Sequence, residues 1–263
     1  LDIKEFEKML DSKRHQGDME KIWDHKSAWF FQKTEKSKEN FKNRLVFRLV
    51  KNRKLLKGDS KLLDIGCGTG RHLLEFSNYT SYITGIDISS KMLEYAKEKL
   101  DKVPNVKLRH GNWMELFYKE KEYDLVFASM TPAISLIEHI ERMCFISKKY
   151  CMMERFVFHR DSIREEIQEM LGRKLNRLHQ NEKEYSYAVW NIVWNLGYFP
   201  EIMYETEEYE EEKTIEEYLE QIECTKEEEK KIREFLRTKG KNGSIMSSHK
   251  LKKAVILWDV TKI

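Results

Sequence analysis

The sequence has few cysteines, no long apolar run and no excess of charge of one sign. Its four cysteines, Cys67, Cys144, Cys151 and Cys224, form no C-x-x-C pair, and no His or Cys group has zinc spacing. That pattern gives no metal site and predicts free thiols in a reducing compartment. No apolar stretch reaches the roughly 18 residues of a membrane span, and no signal peptide precedes the first predicted helix. The expectation is a cytoplasmic protein with no membrane partner. Lys and Arg total 48 against 45 Asp and Glu, and the net charge of +3 does not mark a nucleic-acid binder. There is no internal repeat.

What is present describes a folded, mixed α/β chain. Aromatic residues make up 12% of the 263 positions, more than a disordered chain carries. The charged fraction of 35% predicts long solvated helical faces. The first sixty residues are Lys-rich and Glu205 to Glu212 is acidic; such runs are first of all solvated surface. The length suits one α/β domain with an insertion or a small cap.

Residues 2 to about 56 read as mostly helix, with apolar clusters at Phe6, Met9 and Leu10, at Trp23 to Phe31, and at Phe41 to Val50. The period then changes to two. Lys61–Ile65, Tyr82–Asp87, Val106–His110, Tyr123–Ala128 and Tyr150–Phe158 are predicted strands. Helices are predicted from Arg71 to Ser77, from Lys91 to Leu100 behind a Ser89-Ser90 cap, and from Ile134 to Met143. Strands alternating with helices in this way predict a mostly parallel sheet covered on both faces. After Arg160 the rhythm breaks. Helices are expected over Ser162–Leu178, Glu184–Leu196, Ile215–Ile222 and Glu227–Leu236, a strand over Glu201–Tyr209, a loop over Lys239–Ser248 and a last strand over Leu251–Val260.

The chemistry is concentrated after the first strand. Gly66-Cys67-Gly68-Thr69-Gly70 lies between a strand and a helix. Glycines permit a tight turn and a close approach of backbone to ligand, and a helix start offers unpaired N–H groups. Asp87 ends the second strand about 20 residues later, where a carboxylate accepts from both hydroxyls of a ribose. Together these features predict an adenosine-containing ligand. Asp64, two residues before the first glycine, opposes a pyrophosphate but suits a ligand with a cationic amino group.

Leu62 to Gly70 resembles the first motif of the class I S-adenosylmethionine-dependent methyltransferases. Gly85-Ile86-Asp87-Ile88-Ser89, with Met92, Leu93 and Ala96, is similar to their second motif, and Gly111-Asn112-Trp113 sits where they have Gly-Asp-hydrophobic. Tyr123 to Ala128 is similar to their fourth strand. The resemblance covers roughly residues 45 to 158. It implies a doubly wound, Rossmann-like, seven-stranded sheet with six parallel strands and an antiparallel last one. It also implies S-adenosylmethionine as cofactor. By position, Asp64 with Gly66, Cys67, Gly68 and Gly70 would hold the amino-acid end and Asp87 the ribose. Ile88 would pack on the adenine beside Met92, and Asn112 with the Trp113 backbone would meet the adenine amino group. Ser129-Met130 would lie beside the reactive methyl. Cys67 and Met92 also suit plain packing. Arg71 and His72 suit a helix surface, and Trp190 with Trp194, spaced by four, suits a buried helix face.

Ser129-Met130-Thr131-Pro132-Ala133 lacks the Asp/Asn-Pro-Pro-aromatic run of adenine-N6 and glutamine methylating enzymes. Cys144 and Cys151 lack the context of a cytosine-C5 nucleophile, and Glu138 and Glu141 have the spacing of a surface helix face. A small-molecule acceptor bound through N, O or S is the remaining expectation. The chain divides on this reading into an amino-terminal helical cap (1–56), a cofactor-binding core (57–160), and the remaining strands with a helical insertion serving as lid (161–263). His25 in the cap is the first candidate base, ahead of Glu154, His159 and His139. Two other functions stay open: an RNA or protein methyltransferase using the basic amino-terminal region, and a non-catalytic nucleoside-binding regulator. Acceptor identity and oligomeric state are not encoded in any motif.

Overall fold

The computed structural model describes residues 2–10, 18–36, 41–117, 119–176, 178, 180–181, 183–240 and 243–261. Its helices are α1 (Ile3–Glu7), α2 (Met19–Lys36), α3 (Leu45–Asn52), α4 (Arg71–Phe76), α5 (Ser90–Lys99), α6 (Trp113–Leu116), α7 (Ile137–Ile146), α8 (Ser162–Leu171), α9 (Lys183–Asn195), α10 (Ile215–Glu220) and α11 (Lys226–Lys239). Its strands are β1 (Lys61–Ile65), β2 (Tyr82–Asp87), β3 (Val106–His110), β4 (Tyr123–Ser129), β5 (Ser147–Asp161), β6 (Glu201–Thr214) and β7 (Ser244–Asp259).

The strands form one seven-stranded sheet in the order β3-β2-β1-β4-β5-β7-β6. Strands β1 to β5 pair in parallel, as the strand–helix alternation predicts, and an antiparallel hairpin stands at the edge, in keeping with the antiparallel strand that the resemblance implies. Period-two alternation sends successive side chains to opposite faces. Leu63, Ile65, Val126, Ala128, Cys151 and Met153 face a core completed by α7 and α9. Leu62, Leu125, Phe127 and Met152 face a second core completed by α3, α4 and α5. A parallel sheet buried on both sides requires this double covering.

Two compact units result. The first contains residues 1–155, 184–204 and 254–263; the second contains 156–183 and 205–253. The second has its own core of Ile163, Ile167, Leu175, Tyr218, Ile222, Ile232, Leu236 and Ile245. Capping boxes start two of its helices: Thr214 with Glu217 at α10 and Thr225 with Glu228 at α11. Each box satisfies two backbone N–H groups that a helix start leaves unpaired.

Several expected boundaries move. The helix predicted to reach Leu178 ends at Leu171, because Gly172 takes a left-handed conformation with φ 66°. The second half of the predicted loop over Lys239–Ser248 is strand, since β7 already begins at Ser244. The strand predicted to end at Tyr209 runs to Thr214. Trp194 is half exposed, so the expected buried face holding both tryptophans is corrected. The buried stripe of α9 is Tyr185, Ala188, Val189, Ile192 and Val193 instead.

Candidate active site

The carboxyl edge of β1, β2 and β4 gathers the residues singled out in the sequence. Gly66, Gly68 and Gly70 all have positive φ, at 70°, 52° and 75°. The turn is stitched to the next strand, because Gly66 N and Cys67 N both donate to Ile86 O, at 2.8 and 3.0 Å. A Cβ on Gly66 would lie 2.1 Å from Thr131 Oγ1, so the loop after β4 packs directly on this glycine. A Cβ on Gly68 would meet nothing within 4 Å, which leaves space above the turn for a ligand.

Two acids flank that space, Asp64 buried and Asp87 half-buried. Asp87 accepts from Gly68 N at 2.8 Å and from Ser89 N at 2.9 Å. Burial raises its carboxyl pKa, against the pull of these two N–H donors. Each of its oxygens has a further lone pair for a ribose hydroxyl. Asp64 is 1% exposed, and its Oδ2 has no hydrogen-bond partner. Burial, with the Asp87 charge second, pushes Asp64 well above the usual carboxylate range. An unpartnered buried carboxyl oxygen is costly, and an ammonium group from a ligand would satisfy it. These residues therefore fit S-adenosylmethionine, the cofactor implied by the resemblance.

Other predicted contacts occupy more constrained positions. Cys67 is buried in the core beside Leu73, and burial raises its thiol pKa; it packs. Ile88 is half-buried and Met92 buried. The Asn112 oxygen caps α6 by accepting from Met114 N at 3.1 Å. Trp113 is buried, with its ring N–H donating to Ala133 O at 3.1 Å, so it ties α6 to the loop after β4. Arg155 holds the same loop: it donates to Thr131 O at 2.7 Å and lies 3.8 Å from the Tyr185 ring centroid.

At the end of β4 the structure brings together a group that the sequence does not reveal. Ser129 Oγ donates to Glu154 Oε2 at 2.6 Å. The same carboxylate, fully buried, pairs with Arg44, and His72 Nε2 lies 3.7 Å from it. Met130 follows with φ 49° and donates its N–H to Glu154 O at 3.0 Å. A left-handed non-glycine residue costs roughly 1–2 kcal/mol, and such strain clusters at working sites. His72, expected on a helix surface, is instead largely buried among Phe41, Phe47 and Phe127.

Burial lowers the His72 pKa from 6.5 to about 4. The unfolded chain protonates this ring as the pH falls through 6.5, while the folded chain waits until about 4. Stability from the neutral ring is therefore complete above pH 6.5 and is lost as the pH drops towards 4. The non-titrating variant His72→Gln should flatten this part of a melting-temperature profile against pH. Equal slopes in the two proteins would refute the assignment.

The candidate bases separate. His25 is exposed on α2. His139 accepts from Ser135 N at 3.0 Å, a capping contact at the start of α7. His159 belongs to the second unit, 2.9 Å from His249; burial and that neighbour lower its pKa to about 4. Glu154 is the one bonded to Ser129. Helix α2 lies along α5: Asp24 accepts from Ser89 Oγ at 2.6 Å and Lys91 N at 3.1 Å, and Phe31 stacks on Tyr95 at 4.4 Å. Glu20 of α2 meets His110 at the end of β3, at 3.0 Å.

Comparison with known proteins agrees with this geometry. Residues 62–146 match the family model described as a methyltransferase domain. The demethylmenaquinone methyltransferase of Staphylococcus aureus is 43% identical over 82 residues, which are 30% of this chain and 34% of that protein. The match thus spans about a third of the length of the curated relative. Among solved structures, a SAM-dependent methyltransferase from Aquifex aeolicus superposes with a TM-score of 0.50 and 17% identity, covering 66% of this chain and 89% of that one. A precorrin 8w decarboxylase from Methanobacterium thermoautotrophicum gives 0.51 and 14%, covering 82% and 89%. These two likenesses concern the fold. The glycine turn, Asp64 and Asp87 lie within the matched stretch on one sheet edge, and residues 62–146 of the chain carry a methyltransferase domain.

Proposed function

We propose that this protein transfers the methyl group of S-adenosylmethionine to a small-molecule acceptor by direct in-line displacement at N, O or S. The observation that carries this is the buried, unpartnered Asp64 oxygen beside the glycine turn and Asp87. The cofactor's sulfonium supplies the reactive methyl, and the protein supplies position and electrostatics. Asp87 orients the ribose, and Asp64 with the turn holds the amino-acid end. The Thr131 loop, packed on Gly66, sets one wall for the acceptor. The amino-terminal stretch, residues 1–56, serves as the cap. The acceptor's proton goes either to His25 on α2 or through Ser129 to Glu154; the 2.6 Å bond favours the second route.

That the Staphylococcus aureus relative is by name a demethylmenaquinone methyltransferase supports a small-molecule acceptor. Among the described residues no helix is long and apolar enough to cross a membrane. The test is calorimetric titration with S-adenosylmethionine and S-adenosylhomocysteine. Binding of both at about micromolar Kd, roughly −8 kcal/mol, is the expected result and opens a screen of acceptors. Absence of binding to either would overturn the proposal.

A further inference from the structure

We infer that Trp113 is a positioning residue: through its indole N–H it makes the loop after β4, the proposed wall for the acceptor, tighten when the cofactor site is filled. This rests on the function proposed above. It adds a mechanical link between the two halves of that site, carried by a buried side chain.

The link is a closed ring of contacts along the carboxyl edge of the sheet. Asp87 Oδ2 accepts from Gly68 N at 2.8 Å, in the turn after β1. The backbone carbonyl of Asp87 accepts from Gly111 N at 3.0 Å, in the turn after β3. Two residues later α6 begins with Trp113, behind the Asn112 cap. Its ring N–H crosses to Ala133 O at 3.1 Å, in the loop after β4. Within that loop Thr131 Oγ1 accepts from Ala133 N at 3.2 Å. Thr131 also packs on Gly66, which returns the ring to the turn after β1. A ligand bound between Gly68 and Asp87 would therefore load each contact in turn.

The loop is built to pass that load on. Pro132 has a fixed φ, and the Thr131–Ala133 bond closes a short turn around it, so residues 131–133 move as one piece. Met130 before them is left-handed, with φ 49°, a conformation that persists only when its surroundings hold it. Arg155 and Tyr185 fasten Thr131 O and Ile134 O from β5 and α9. Trp113 differs from both, because it arrives from the turn joined to Asp87. Its ring also stands T-shaped to His139, with centroids 5.8 Å apart, and His139 accepts from Ser135 N at 3.0 Å. Trp113 thus bears on the loop at Ala133 directly and at Ser135 through His139. Any buried indole seeks a partner for its N–H; the information lies in which carbonyl this one takes.

The test reads amide hydrogen exchange over residues 133–137 of the full chain, with and without saturating S-adenosylhomocysteine, its occupancy set by calorimetry. In the wild-type protein the ligand should slow these amides by about 5- to 150-fold, the usual size of coupling between two sites. Trp113→Phe keeps an apolar ring and removes the N–H donor. In that variant the ligand should still bind, and the slowing should fall below about twofold. Slowing of equal size in the two proteins would overturn the role of Trp113, as would no slowing in the wild type. A wild-type protein that does not bind S-adenosylhomocysteine would instead overturn the cofactor site, and this inference with it. If Trp113→Phe does not fold, exchange of the Trp113 indole N–H in the wild-type protein decides, read by NMR. Slower exchange with ligand supports the link, and an unchanged rate overturns it.

Discussion

Asp87→Ala should reduce affinity for S-adenosylhomocysteine by about 10²- to 10³-fold, measured by calorimetry, with a modest drop in melting temperature. Hydrogen bonds to a charged group are worth roughly 1.5–3 kcal/mol each, and about 1.4 kcal/mol is tenfold. The variant removes the carboxylate proposed to hold the ribose and also the acceptor for Gly68 N and Ser89 N. Stability responds differently. Leaving Gly68 N and Ser89 N without their acceptor costs roughly 1–3 kcal/mol each, while removing a carboxyl that burial disfavours as an anion offsets part of that loss. Unchanged affinity in Asp87→Ala would contradict the site as assigned.

Glu154→Ala should produce the reverse pattern, a loss of about 3–5 kcal/mol in folding stability by denaturant titration. The carboxylate side chain is 0% exposed and its partner Arg44 only 12%. Truncation strands a buried guanidinium and leaves the Ser129 hydroxyl without its acceptor. Breaking one side of such a pair is far more damaging than replacing both sides by apolar groups. Arg44→Met combined with Glu154→Leu should therefore lose less than Glu154→Ala alone. A loss below about 1 kcal/mol in the single variant, the range of an exposed ion pair, would show that the pair is dispensable.

Local patterns made the cofactor half of the site legible. The turn of Gly66 to Gly70 lies between a strand and a helix whose periods are plain in the chain, and Asp87 closes the next strand. The proposed acceptor half is assembled over distance. Arg44 and Glu154 are 110 positions apart, and nothing near either residue announces the other. His72 looks like a helix-surface residue because α4 is only six residues long, too short for its inward face to be told from its sides. In β7 the alternation was present but chemically disguised. Ile245, Ser247, His249 and Leu251 point inward while Met246, Ser248 and Lys250 point out. Two of the inward positions are polar because they meet polar partners, Ser247 bonding Asp161 at 2.6 Å and His249 lying 2.9 Å from His159. Inward polar residues at period two imitate a loop until the partner is known.

The strand order also has a consequence for the growing chain. Strand β6 is made before β7, yet β7 is its neighbour in the finished sheet and separates it from β5. As the polypeptide emerges, β6 must wait with both edges unpaired, the state in which strands recruit wrong partners. Its run of glutamates discourages that by mutual repulsion. The intervening α10 and α11, each started by its own capping box, fold from local contacts, which form quickly. They shorten the wait by returning the chain for β7 to be threaded into place.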